Sequence, residues 1–129
     1  MFNVIGVGVD LCDVARIERA LQKERFEQRV VTEIERAYLD QKGKGRAQSA
    51  AAMFAAKEAV AKALGTGFSG GVAPQQIEVT HEESGAPGVA LHGAALERLC
   101  ALGGSRVLLS LTHENGTAAA FAVAVKDEA

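Results

Sequence analysis

The sequence predicts an α+β fold, an antiparallel sheet packed against one long alanine-rich helix. Three observations predict it. Phe2–Val9 opens the chain as a run rich in β-branched residues, with glycines at positions 6 and 8. Gln48–Leu64 is dense in alanine and holds neither glycine nor proline, which makes it the strongest helix signal in the chain. Near the end, two apolar β-rich runs, Arg106–Thr112 and Ala118–Val125, flank an Asn-Gly pair of the kind that closes tight hairpins.

Taken in order, each segment has a local reason. Val4 and Ile5 are adjacent and both apolar, so both faces of the first strand are expected to be covered. Gly6 and Gly8 remove side chains where another backbone or a ligand comes close. Asp10 ends that strand, and Asp13 is placed to cap a helix through Ala15, Ile17 and Leu21. A second helical stretch follows around Phe26–Val31. Thr32 with Glu35 three residues on forms a capping box that opens a third helix, Glu33–Asp40. Gln41–Arg46 is a basic, glycine-containing loop. The long helix then spans about 26 Å at about 1.5 Å per residue, and Gly65 stands where a C-terminal cap belongs. Thr66–Pro74 reads as a glycine loop, Ile77–Thr80 and Gly88–Leu91 as short strands, and Ala94–Leu102 as a helix.

Composition sets the bounds on function. A chain of 129 residues is expected to form a single domain, 1–129. Hydrophobic residues at 48% and charged residues at 23% match an ordinary globular protein. No apolar run reaches the ~18–20 residues of a membrane span, and the N-terminus lacks signal-peptide features, so no membrane association and a cytoplasmic location are expected. Cys12 and Cys100 exclude a disulfide framework and have no metal-ligand spacing. A net charge of −2 argues against a nucleic-acid partner. The charge is uneven: residues 1–64 carry 11 Lys/Arg against 9 Asp/Glu, and residues 65–129 carry 3 against 7. The cationic surplus between Arg16 and Arg46 is either a docking face for an anionic partner or ordinary solvated helix surface.

Few residues can carry chemistry. Asp10 is a helix cap or a ligand-facing carboxylate at the end of a strand. Glu58 and Lys62, four apart on the long helix, are an ordinary surface ion pair or part of a site. Met53, Val60 and Leu64 form one apolar stripe, and Glu58 lies off it. If the fold brings Asp10 opposite Glu58, two carboxylates with spare positions suit Mg²⁺, which keeps waters and substrate phosphates in its shell. His113, at a hairpin tip, is a solvated turn residue, a base or a phosphate ligand. His81 and His92 have no carboxylate or cysteine partner spacing and are assigned no role. The glycines after the long helix follow a helix end instead of preceding one, which excludes a P-loop. Ser110 and Thr112 share one strand face, and no nucleophile elbow is present.

In order, these pieces resemble the holo-acyl-carrier-protein synthase type of 4′-phosphopantetheinyl transferase. The resemblance rests on Gly6-Val7-Gly8-Val9-Asp10 with Arg16-Ile17, on Phe54-Ala55-Ala56-Lys57-Glu58-Ala59 continuing into Lys62-Ala63-Leu64-Gly65-Thr66-Gly67, and on Ser110-Leu111-Thr112-His113 before Ala118-Ala119-Ala120. It covers nearly the whole chain. It implies a phosphopantetheinyl transferase-like fold, and transfer of the 4′-phosphopantetheine arm of coenzyme A to a serine of apo acyl carrier protein. Adenosine 3′,5′-bisphosphate is released, and the carrier is expected to serve fatty-acid synthesis. The alternatives are carriers of polyketide or peptide synthetases, or a catalytically silent trimeric binding module.

Residue by residue, the resemblance makes Asp10 and Glu58 the Mg²⁺ ligands and Lys62 a phosphate-facing cation. It sets Gly65 and His113 at the coenzyme A site, and Arg16, Lys23 and Arg25 at or near the carrier-docking positions. The required base is Glu58, His113 or a metal-bound water. A homotrimer with active sites at subunit interfaces is implied, so His113 could serve a neighbour's Asp10 and Glu58. Two departures stand out. The family's arginine before the Phe-Ala-Ala-Lys-Glu run is Met53 here, which leaves Lys44 or Arg46 as substitute phosphate contacts, and a family tyrosine before the last strand is Thr117.

Overall fold

A computed structural model describes residues 1–128. The first strand, β1 (Phe2–Asp13), is followed by three short helices, α1 (Val14–Leu21), α2 (Glu24–Val30) and α3 (Glu33–Asp40). After a 3₁₀ turn at Gly43–Gly45 comes the long helix α4 (Arg46–Ala63). A glycine loop and a second 3₁₀ turn lead to β2 (Ile77–His81) and β3 (Pro87–Leu91), then α5 (Gly93–Ala101), β4 (Arg106–Glu114) and β5 (Thr117–Asp127). All pairings are antiparallel. One sheet has the order β1-β5-β4, and β2 pairs with β3 in a small second sheet.

The predicted turns form for the predicted reasons. Asp13 accepts a hydrogen bond from the Ala15 N–H at 3.0 Å and caps α1. Thr32 and Glu35 close a reciprocal capping box on α3. Asn115 and Gly116 both take positive φ, the conformation a two-residue hairpin needs. The strand continues further than expected, however: His113 pairs with Ala118 and Glu114 with Thr117, so His113 is a strand residue and not the hairpin tip. Gly65 has φ +79° and ends α4, its N–H donating to the Lys62 carbonyl at 2.9 Å.

Helix α4 lies across the three-stranded sheet, and the glycines of β1 set how close it comes. A Cβ on Gly6 would strike the carbonyl oxygen of Ala63, and one on Gly8 that of Ala59. Backbone approaches backbone here, with alanines of β5 (Ala118, Ala120, Ala122, Ala124) buried beneath the helix. The expectation of one apolar stripe on α4 is corrected. Met53, Val60 and Leu64 are buried, but so are Ala51, Ala55, Ala59 and Ala61 on other sides. Sheet, α1, α3 and β2 surround the helix, so its small side chains are covered nearly all round.

Both faces of β1 are expected to be covered, and within one chain only one of them is. Val7 is 57% and Leu11 70% exposed, and Phe2, Val4, Val9 and Phe121 share that open face. The adjacent apolar pair arises from a register shift. Val4 pairs with Val125 and Gly6 with Ala124, which leaves Ile5 as an extra residue at a bulge. Val4 and Val7 therefore both point outward, while Ile5 packs against the core.

Candidate active site

Residues 6, 8 and 10 of β1 alternate onto one side of the strand, the side facing α4. Where the glycines admit the helix backbone, Asp10 meets helix side chains. Lys62 donates to Asp10 Oδ1 at 3.1 Å and to the Val9 carbonyl at 3.0 Å. Glu58, one turn earlier on α4, is half-buried beside them. Burial pushes its carboxyl above the usual carboxylate range, and the neighbouring Asp10 charge pushes it the same way, opposed by Lys62 and Arg16. The fold thus brings Asp10, Glu58 and Lys62 into one electrostatic cluster. Among the described residues no group of three or more His, Cys, Asp or Glu gathers around a common point. Two carboxylates are what this cluster offers.

Arg16 on α1 completes this neighbourhood. Its guanidinium lies 6.0 Å from the centroid of the Phe54 ring, which in turn packs on Phe26 at 5.8 Å. Cys12, two residues from Asp10, is buried, and burial raises its thiol pKa, which disfavours the reactive thiolate. Lys23 and Arg25 are exposed where α1 gives way to α2. Gly65 sits past the end of α4, and Arg98 donates to the neighbouring Leu64 carbonyl at 2.9 Å. With the Gly65 N–H already engaged, that helix end presents a backbone closed on itself.

His113 does not join the cluster within the chain. It hydrogen-bonds Gln48 at 2.8 Å, near the start of α4. Gln48 and Glu58 are ten residues apart, about 15 Å along a helix axis. His113 instead lines a separate cavity with Tyr38, Gln48, Met53, His81 and Pro87. Met53 is 2% exposed, so its side chain fills core volume. Of the two proposed substitutes for an arginine there, Arg46 is paired with Glu27 and Asp40, whereas Lys44 is exposed.

Several residues went unrecognised from the sequence. His81 stacks on Tyr38 with ring centroids 3.8 Å apart, and Lys42 covers Tyr38 at 4.5 Å. His92 does have a carboxylate partner, Glu78, at 3.3 Å. Fourteen positions separate the two in sequence, a spacing that reveals nothing until the β2 pairing is known. The most consequential omission is Lys57, fully buried and ion-paired at 2.8 Å with the equally buried Glu35. A signal for it existed: Lys57 falls four residues after Met53 and three before Val60, on the apolar stripe itself.

Comparison with known proteins shows the family to which this fold belongs. A family model described as the 4′-phosphopantetheinyl transferase superfamily matches residues 6–122. The chain is 50% identical to the holo-[acyl-carrier-protein] synthase of Methylobacterium sp. (strain 4-46), over 97% of this chain and 98% of that protein. It superposes on the crystal structure of holo-[acyl-carrier-protein] synthase from Neisseria meningitidis with a TM-score of 0.84 and 38% identity, covering 95% of this chain and 98% of the other. The Helicobacter pylori synthase in complex with coenzyme A matches with a TM-score of 0.77 and 27% identity, over 92% and 98% of the two chains. The chain belongs to the 4′-phosphopantetheinyl transferase superfamily.

Proposed function

We propose that this chain transfers the 4′-phosphopantetheine group of coenzyme A to a serine hydroxyl of an apo acyl carrier protein, leaving adenosine 3′,5′-bisphosphate. It works in the cytoplasm on the carrier of fatty-acid synthesis. The observation that carries this reading is the convergence of Asp10 and Glu58, from a strand end and a helix middle, with Lys62 beside them.

The donor set fits Mg²⁺. Both groups are hard carboxylate oxygens, and two of them leave room for substrate phosphates, as this ion prefers. Burial and the nearby Asp10 charge raise the pKa of Glu58, and a bound cation would favour its charged form. Asp10 and Glu58 would hold the ion, which when bound would neutralise the pyrophosphate charge that repels an incoming oxygen nucleophile. Lys62 holds Asp10 in its absence and turns its ammonium to the phosphate oxygens as they arrive. His113 and Gly65 line the coenzyme A path. Arg16, Lys23 and Arg25 steer the acidic carrier toward it.

His113 serves the Asp10 and Glu58 of a neighbouring subunit in a homotrimer. Two features support this: its distance from them along α4, and the open apolar face of Phe2, Val4, Val7, Val9, Leu11 and Phe121. Sedimentation at three times the chain mass is expected, and a monomer at assay concentration would contradict it.

Mass spectrometry of apo carrier protein incubated with coenzyme A, Mg²⁺ and this chain tests the activity. The phosphopantetheine mass increment is expected on the fatty-acid carrier. An increment confined to polyketide or peptide synthetase carriers would reassign the partner. No increment on any carrier would make the chain a silent binding module.

A further inference from the structure

Helix α4 carries Glu58 yet has little in its own surface to fix how it is rotated. Its buried positions are mostly alanine, including Ala50, Ala51, Ala55, Ala56, Ala59, Ala61 and Ala63. Alanine gives low ridges for interdigitation. Burial on nearly every side also removes the polar-out, apolar-in contrast that normally sets a helix's facing. Gly6 and Gly8 determine how close the helix comes to β1, and something else must determine its rotation.

Lys57 has the geometry for that task. Both it and Glu35 are 0% exposed. Its ammonium has three protons to give. They meet Glu35 Oε1 at 2.8 Å, the Pro74 carbonyl at 2.9 Å and the Ile77 carbonyl at 2.8 Å. Glu35 is satisfied in turn: Oε1 accepts from the Thr32 N–H at 2.9 Å and Oε2 from the Val79 N–H at 2.7 Å. One ion pair thus ties α4 to α3, to the end of the glycine loop and to β2. A pair buried like this contributes little stability over apolar residues of similar volume, while it can select one arrangement among several.

We propose that the Lys57–Glu35 pair is a positioning device for the active site, fixing the rotation of α4 so that the adjacent Glu58 faces Asp10. Consecutive helix residues project about 100° apart, so fixing Lys57 toward β2 fixes the direction of Glu58. A turn of about 20° would displace a carboxylate ~6 Å from the axis by about 2 Å, more than oxygen ligation at ~2.1 Å tolerates. Neither member of the pair belongs to the cluster itself. This inference rests on the reading that Asp10 and Glu58 share a cation.

The test replaces both partners, Lys57→Met with Glu35→Leu, which leaves no uncompensated buried charge. The double variant is expected to unfold cooperatively within about 5 °C of wild type. Its affinity for Mn²⁺, used as the probe ion, is expected to fall about tenfold or more, with kcat reduced and KM for coenzyme A unchanged. In a Glu58→Gln background the same replacement is expected to cause no further loss of Mn²⁺ affinity. A folded double variant with wild-type Mn²⁺ affinity and kcat overturns the proposal. If the double variant does not fold, Glu35→Gln decides instead: a loss of Mn²⁺ affinity supports the proposal and unchanged affinity overturns it. Should Asp10→Asn leave Mn²⁺ binding intact in the otherwise wild-type chain, the shared-cation reading falls separately. The clamp is then judged by NMR contacts between Ala59 and Gly8, expected to weaken in the double variant and overturning the proposal if they persist.

Discussion

Lys57 and Glu58 are neighbours on one helix, and their surroundings are opposites. Lys57 points inward, with every proton matched to an acceptor on a fixed element. Glu58 is half-buried beside Asp10, where burial first and the second carboxylate next raise its pKa, opposed by Lys62 and Arg16. The inner pair is finished: it needs nothing from outside. The outer cluster sets two carboxylates beside two cations at the surface, within reach of a ligand. A satisfied polar network serves the fold, and a reachable one with a perturbed pKa is where a ligand belongs.

The largest effect that would break this comparison is on turnover. Asp10→Ala and Glu58→Ala are each expected to lower transfer by at least about a thousandfold, with far-UV circular dichroism unchanged, because they remove groups that meet the developing charge. Near wild-type transfer by either variant at saturating Mg²⁺ would remove the cluster from the chemistry.

Next in size is the inner pair. Glu35→Ala strands the Lys57 ammonium in the core and is expected to lower stability by about 3–5 kcal/mol in urea denaturation. A loss below about 1 kcal/mol would mean that water or another group reaches Lys57.

Lys62→Ala sharpens the comparison from the outer side. Lys62 is half exposed and its bond to Asp10 is a loose one, so the fold should not notice the change. Transfer is expected to slow by about tenfold to a hundredfold, while calorimetry shows metal binding spared or somewhat tighter. Equal loss of both would merge the separate roles of Lys62 and the carboxylates.

The smallest effect concerns pH. The folded chain holds a proton on Glu58 more tightly than the unfolded chain does, so stability falls as pH rises through the window above the usual carboxylate pKa. Glu58→Gln is therefore expected to raise Tm by about 1–3 °C at neutral pH in the absence of metal, an advantage that disappears as pH falls below the ordinary glutamate range. A lower Tm at neutral pH would show that Glu58 is paired and not strained.

Much of this was legible in the sequence because it was local. The Asp13 cap, the Thr32–Glu35 box, the Asn115-Gly116 turn and the end of α4 at Gly65 each depend on residues a few positions apart. What was misread depended on partners far along the chain. The bulge at Ile5 turned an adjacent apolar pair into one outward and one inward residue. The partner of Lys57 was out of view because Glu35 precedes it by 22 positions on another helix. Of the candidate site, Asp10, Glu58 and Lys62 come together as the family resemblance implied. His113 stands with Gln48 and the cavity, a separation that strand register alone decides.

The central claim is that Asp10 and Glu58 hold one divalent cation between them. Titration of the metal-free protein with Mn²⁺, followed by electron paramagnetic resonance, tests it most directly. One bound ion per chain is expected in the wild type, with binding lost or greatly weakened in both Asp10→Asn and Glu58→Gln. Undiminished binding in either variant would contradict it.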